Sequence, residues 1–484
     1  DRYGIKPIYY SLQNNTFAFA SEQKSIVFQN YFKKNIEFQA LMEYFTFQNI
    51  FTNKTFLKDI FILKAGHYAI FEEKKNNIEL FKYWDFRFQE DIKYFSKQEC
   101  LEKFDYLFKQ SVNRQLYSDV EIGCYLSGGM DSGSITAISS KTYPNLKNFT
   151  CGFDLKSATG LELGFDEREK AKEIASFLKT EQYEMVLKSG DMEKCLKRLA
   201  WHIEEPRVGQ SYPNYHIAKL ASKFLKVVMS GVGGDELFAG YPWRYYRASQ
   251  SQNFEDFIDN YYIYWHRLLD NKLIKKLFSP IWSEVKHVWT RDIFRDVFLQ
   301  HDIVLKKSED FINHSLYFES KTFLHGLFVI EDKISMSFGL ETRVPFMDND
   351  LVDFAMSCPL NMKLNNLNEQ FRINENESRN KKNIYYQNTN DGKLILRKML
   401  SKYLPKNITE GEKKGFSSPD ASWFKGESVE WVKEILFNRN SIIFEFLDYK
   451  TVIDLVEEHL SGKENRRLFI WSLLNVQEYL KQIR

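Results

Sequence analysis

The chain has 484 residues, 43% of them hydrophobic and 16% aromatic, which is material for two or three domains with substantial cores. Its 67 basic and 65 acidic residues leave a formal net charge of +2, without the basic excess of a nucleic-acid or membrane-surface binder. No apolar stretch is long enough to span a bilayer and no basic-then-apolar leader opens the chain. The five cysteines (Cys100, Cys124, Cys151, Cys195, Cys358) form no CxxC pair, which speaks against a disulfide framework or zinc site and for a reduced, cytoplasmic setting.

Residues 1–30 read as hairpins, with apolar runs at 7–10 and 16–20 separated by Gln13-Asn14-Asn15, a turn composition. The chain opens at Asp1 in sequence that is already strand-like, so a natural N-terminal part is expected to be missing. A further strand is expected over 66–71. The polar stretch 87–99 then leads into an amphipathic helix, with Leu101, Phe104, Phe108, Val112 and Leu116 at helical spacing. The domain boundary is placed near residue 90, dividing 1–90 from 91–484.

Beyond it, short apolar strands at 122–126, 149–153 and 227–230 alternate with helices, one of them over 167–178. This order predicts an α/β fold built on a parallel sheet, with ligands at the carboxyl ends of the strands. Residues 250–330 read as helical and aromatic. Residues 364–392, rich in Asn, Lys and Glu, read as a solvated surface insertion; the sharper alternative is a mobile lid running into Gly392-Lys393.

Two glycine-rich loops lie at predicted strand ends. In the first, Ser127-Gly128-Gly129-Met130-Asp131-Ser132, the glycines let the backbone approach an anion, and the following helix N-terminus adds partial positive charge. Asp131 beside a phosphate site implies an intervening Mg²⁺. A Walker loop ending in Lys-Ser/Thr is absent. The second loop runs from Ser230-Gly231-Val232-Gly233-Gly234-Asp235-Glu236 to Tyr241. Asp235 is both a good helix N-cap and a second hard oxygen ligand for Mg²⁺.

In this order and spacing, the loops resemble the synthetase domain of glutamine-hydrolysing asparagine synthetases. So do Glu331-Asp332-Lys333-Ile334-Ser335-Met336 and Glu341-Thr342-Arg343-Val344-Pro345-Phe346-Met347-Asp348. The match extends through Lys393-Leu394-Ile395-Leu396-Arg397, Lys413-Lys414-Gly415-Phe416, Pro419 and Trp423, then His459, Leu460 and Trp471. Residues 1–10 resemble the end of the family's class II glutaminase domain. The resemblance implies an ATP-pyrophosphatase domain of the adenine nucleotide alpha hydrolase-like kind with helical additions, over 91–484. It is preceded by the incomplete remnant of an α+β glutaminase domain over 1–90. It further implies that aspartate is activated by ATP as an acyl-adenylate, with release of pyrophosphate, and is then amidated by ammonia from glutamine. Ser127, Gly128, Gly129 and Ser132 would cradle pyrophosphate, and Asp131 and Asp235 would hold Mg²⁺. Lys393 would reach the phosphates as a catalytic lysine. Leu126, Cys151, Ser230 and Gly231 would lie where the family holds adenosine. No nucleic-acid or membrane partner is implied, and a homodimer is compatible.

Three departures stand out. No cysteine lies near the N-terminus, where the glutaminase nucleophile belongs, so the chain as written is expected not to hydrolyse glutamine, while a folded synthetase half could still use free ammonia. An arginine expected shortly before Gly415 is missing; position 411 is Gly411. Val232 stands where asparagine synthetases often carry an acid that handles the substrate or its intermediate. This leaves open a related amidotransferase acting on another carboxylate, such as a sugar acid of a surface polysaccharide. A catalytically silent partner protein is the third reading, against which Asp131, Asp235 and Lys393 argue. Arg343 is read as structural, paired with Glu341 or Asp348, and His202 and His216 as packing or surface groups.

Overall fold

In the computed structural model, residues 1–90, 96–249, 251–299, 301, 305–365, 391–410 and 417–484 are described. Asn14 and Asn15 take left-handed φ of 52° and 59°, which asparagine tolerates better than most side chains. They turn strand β1 (Tyr9–Gln13) into β2 (Thr16–Ala20), and β3 (Phe61–Ile62) pairs with the other edge of β1. A second hairpin follows, β4 (His67–Glu72) with β5 (Asn77–Lys82). Between the two lies the helix Phe38–Phe47, which packs far along the chain. The Tyr44 hydroxyl donates to Ser472 Oγ at 2.9 Å, and Phe45 meets the rings of Phe278 and Phe469. The N-terminal segment therefore shares its core with the C-terminal helix Arg467–Ile483.

The amphipathic helix expected after the polar stretch runs from Lys97 to Gln115, and Ser96 and Glu99 close a capping box at its start. The chain then builds five parallel strands: β6 (Ile122–Tyr125), β7 (Lys147–Phe153), β8 (Glu181–Leu187), β9 (Val227–Met229) and β10 (Glu341–Arg343). Their order in space is β10-β9-β6-β7-β8, so the α/β reading and the parallel sheet hold. The two edge strands, β8 and β10, were not expected from the sequence. Glu181, Glu184, Glu341 and Arg343 break the apolar pattern there, as edge strands allow. Helices cover both faces: Met130–Thr142 and Arg168–Leu178 on one, Asp191–Ile203, Tyr212–Ala221 and Leu324–Met336 on the other.

The strand order carries the functional consequence. From β6 the chain moves outward through β7 to β8, then returns to place β9 on the opposite side of β6. The sheet therefore has a topological switch point between β6 and β9, and such points open a crevice at the carboxyl ends of the strands. The loops 127–132 and 230–241 leave β6 and β9 at that crevice.

Candidate active site

The first loop is pinned at its entry. Leu126 N donates to Phe149 O at 2.9 Å, and Thr150 Oγ1 donates to Leu126 O at 2.8 Å. Ser132 Oγ accepts from Ser127 N at 3.1 Å and lies 3.2 Å from Ser127 Oγ, closing the loop over the start of the helix Met130–Thr142. Asp131 and Ser132 thus fall in the first turn, where the helix dipole favours anions.

The glycines of the second loop are explained by the first loop lying on them. A Cβ on Gly231 would come within 2.8 Å of Ser132 N, and one on Gly234 within 2.5 Å of Asp131 Oδ1. A side chain at Gly231 would drive the loops apart, and one at Gly234 would displace the Asp131 carboxylate. This contact sets the Asp131 carboxylate beside Asp235, in the short helix Gly234–Leu237.

Lys393 arrives from more than 150 residues further along the chain. Its Nζ lies 2.7 Å from Asp131 Oδ2 and 2.7 Å from Asp235 Oδ1. The lysine side chain is 2% exposed and the aspartates 14% and 12%. It is held from behind: Lys393 N donates to Phe238 O at 3.1 Å, and Arg397 Nε to Gly392 O at 3.0 Å. Lys393 itself has φ of 53°, a left-handed backbone immediately before the helix Leu394–Leu400. The sequence reading aimed this lysine at phosphate; its bridging of two carboxylates was not foreseen.

One cavity of about 280 Å³ is lined by every site residue expected from the sequence: Leu126, Ser127, Gly128, Gly129, Asp131, Ser132, Cys151, Ser230, Gly231, Asp235 and Lys393. Burial pushes the Cys151 thiol well up, so it forms a wall and not a thiolate nucleophile. Val232 also lines the cavity. So do Asn214, Lys170 and Leu327, which no motif named, and Tyr241, Ile334 and Glu331, which the quoted motifs contain but to which the sequence reading assigned no role in the site. Glu331 sits on the helix Leu324–Met336 and is 9% exposed. Its Oε2 has no hydrogen-bond partner among the described residues. Burial pushes its carboxyl up to about 7, against the hydrogen-bonding pull of Ser230. One signal was available: an acid among the buried apolar residues Phe328, Val329, Ile330 and Ile334.

The donor set fits magnesium. Mg²⁺ binds through one or two protein carboxylates, completing its shell with water and substrate phosphates. Asp131 and Asp235 already converge on one cationic position, filled here by the Lys393 ammonium. Among the described residues no group of three or more His, Cys, Asp or Glu side chains forms a closed cage.

Other candidates lie outside the cavity lining. Arg343 Nε donates to Glu341 at 2.8 Å, and its Nη1 caps Gln115 O and Tyr117 O at 2.6 and 2.8 Å. Asp348 pairs instead with Arg114. His202 and His216 are half-buried on their helices, and burial lowers the pKa of both. Gly411, the segment 413–416 and most of the polar insertion lie outside the described residues. No helix among the described residues is long and apolar enough to cross a membrane.

Comparison with known proteins gives two family matches. The asparagine synthase model matches residues 103–481, and a glutamine amidotransferase domain model matches 1–84. Asparagine synthetase (glutamine-hydrolyzing) 1 of Bacillus subtilis (strain 168) is 28% identical, over 98% of this chain and 73% of its own length. Asparagine synthetase (glutamine-hydrolyzing) 3 of the same organism is 25% identical, over 94% of this chain and 70% of its own. A relative with a different name, amidase chyE of Penicillium rubens, is 22% identical over 96% and 73%.

Proposed function

The chain belongs to the asparagine synthase family, and from that membership we propose that it activates aspartate with ATP and amidates it to asparagine, releasing pyrophosphate and AMP. Ammonia, normally drawn from glutamine, supplies the nitrogen. The observation that carries this reading is the meeting of Asp131, Asp235 and Lys393 between two glycine loops at the sheet's switch point.

A carboxylate resists ammonia because resonance and negative charge make its carbon a poor electrophile. Attack of the carboxylate on the α-phosphorus of ATP replaces an oxide leaving group with a phosphate ester, at the cost of expelling pyrophosphate. In this reading, the N–H groups and hydroxyls of 127–132 bind the departing phosphates, aided by the N-terminus of the helix Met130–Thr142. Lys393 supplies a buried positive charge at the same place. Asp131 and Asp235 would hold Mg²⁺, which when bound offsets phosphate charge. The apolar end formed by Leu126 and Cys151, against Ile217, suits a purine base.

A second reading, a related amidotransferase acting on another carboxylate, is favoured by Val232 in the cavity wall. Together with Leu327 and Ile334 it offers apolar surface where a second charged group of the acceptor would need a partner. Pyrophosphate release, measured with ATP, Mg²⁺ and ammonia over a panel of acids, separates the two. Release with aspartate supports the first; release with another acid alone sinks it. D131N should lower release by 10² or more, on the order of one lost charge-stabilising group; unchanged turnover would refute its role.

A further inference from the structure

We propose that Glu331 is a catalytic residue: it takes the proton from the ammonia that attacks the activated carboxylate, acting from the helix Leu324–Met336 where the loop residue Val232 offers only a hydrocarbon. The inference rests on the adenylation reading above and adds a residue to it.

The argument begins with Val232. It follows Ser230-Gly231 at the carboxyl end of β9, lines the cavity, and has no group that bonds or carries a proton. Glu331 lines the same cavity from the helix that covers this end of the sheet. Ser230 and Gly231, at the root of the same glycine loop, line that cavity with it. Glu331 Oε2 is shielded from solvent and has no partner among the described residues. The side chain as a whole lines the cavity, and a buried carboxyl with one oxygen unpartnered among the described residues is costly unless something uses it. Salt bridges on the same helix keep it in place without touching its oxygens. Asp332 takes the Lys6 ammonium, and Lys333 donates to Glu204.

The chemistry asks for such a group. The nitrogen lone pair of ammonia forms a C–N bond to the acyl carbon, and the nitrogen then carries a positive charge. Until a proton leaves, the better leaving group of the tetrahedral carbon is ammonia itself. Transfer of one N–H proton to the Glu331 carboxylate removes that return path. The carbon–oxygen bond to phosphate then breaks, and AMP departs with the bonding pair. The proton on Glu331 passes to water when the products leave. A carboxyl whose pKa is raised toward neutrality is suited to both halves of this cycle.

The test uses the full chain with ammonia and whichever acid supports pyrophosphate release. In E331Q, acid-dependent ATP–pyrophosphate exchange should stay within about threefold of wild type, while amide formation falls about 10²-fold or more, as for loss of a general base. Hydroxylamine, whose adduct is far more acidic, should recover most of the lost product as hydroxamate. The double variant V232E/E331Q, which returns a carboxylate from the loop side, should regain part of the ammonia-dependent rate. Equal loss of exchange and amide formation would overturn the proposal and assign Glu331 a role before nitrogen attack. So would an unchanged amide rate in E331Q, or a loss that hydroxylamine does not repair. If wild type shows no acid-dependent exchange with any acid, the adenylation reading itself fails, and the proposal with it.

Discussion

Replacing Glu331 by glutamine should make the protein more stable above neutral pH while leaving it almost unchanged near pH 5. The carboxyl is held at about 7 in the fold, against 4.5 when exposed, chiefly by burial. Asp332 adds to the rise; Ser230 and Lys6 oppose it. The folded state therefore binds this proton more tightly than the unfolded chain does. Stability from that proton is fully present below about 4.5 and is lost as pH rises through about 7. The difference of about 2.5 units, at about 1.4 kcal/mol each, makes the ionised carboxylate cost about 3 kcal/mol. Glutamine fills the same volume and cannot ionise. For a chain of 484 residues the unfolding entropy is roughly 1 kcal/mol per kelvin, so E331Q should melt about 3 °C above wild type at pH 8. Thermal denaturation of both proteins from pH 5 to 8.5 would show the gap opening between pH 5 and 7. A gap that stays constant across that range would refute the reasoning, because it would mean that Glu331 titrates alike in both states.

The other predictions concern the groups around it. In K393M the carboxylates of Asp131 and Asp235 lose the ammonium they share, though Arg397 still acts on both, so the melting temperature should fall by about 3 °C, on the order of 3 kcal/mol for breaking a buried pair. Mg²⁺ at ten times its dissociation constant should restore about 1.4 kcal/mol; calorimetry showing no response to Mg²⁺ would count against a cation site there. G231A sets a methyl against the Ser132 backbone, which cannot swing aside as a flexible side chain would, and should cut pyrophosphate release 10²-fold or more while costing about 1–3 kcal/mol of stability. Near-normal release would show that the two loops need not touch. E204Q leaves the buried Lys333 ammonium without its carboxylate and should lower the melting temperature by about 3–5 °C; an unchanged melt would remove that pair from the account.

Much of the site was legible because its chemistry is written locally. Ser127 to Ser132 lie within one turn of chain, and Asp235 follows three closely spaced glycines, so their proximity to a strand end could be inferred from composition alone. Lys393 was different: nothing within ten residues of it points to Asp131, and only family resemblance singled it out. Its pairing with both aspartates depends on the fold returning the chain past Phe238 and Ala239, a long-range fact with no local signature. Glu331 shows the limit from another side. In the sequence it opens a family motif and stands among apolar residues, but only the fold shows that it is buried beside the cavity with one oxygen unpartnered among the described residues. The edge strands β8 and β10 escaped because sheet edges tolerate polar residues, so alternation is weakest where the sheet ends.

The helix Leu324–Met336 explains how a carboxylate borne on a helix differs from one borne on a loop. Consecutive helical residues point about 100° apart, and here three successive charges look in three directions. Glu331 faces the cavity, Asp332 takes the Lys6 ammonium, and Lys333 reaches Glu204 while its Nζ lies 4.4 Å from the centre of the Tyr9 ring. Glu204 sits at the centre of a γ-turn of positive φ (φ 63°, ψ −60°), closed by Glu205 N donating to Ile203 O at 2.7 Å. Such a backbone costs a non-glycine residue about 1–3 kcal/mol. It persists because the Glu204 carboxylate also accepts from Gln23 N at 2.9 Å and Lys24 N at 2.7 Å. Lys6, Tyr9, Gln23 and Lys24 all belong to the segment 1–84 that matches a glutamine amidotransferase domain. The rod that presents Glu331 to the cavity is therefore fastened, one and two residues later, to that segment. An acid at position 232 would be borne instead on a loop packed against Asp131, Ser132, Phe346 and Met347, none of which belongs to that segment. Placing the proton acceptor on the helix makes its position depend on the N-terminal segment, and so links the part of the chain that resembles a nitrogen supplier to the point in the cavity where nitrogen is consumed.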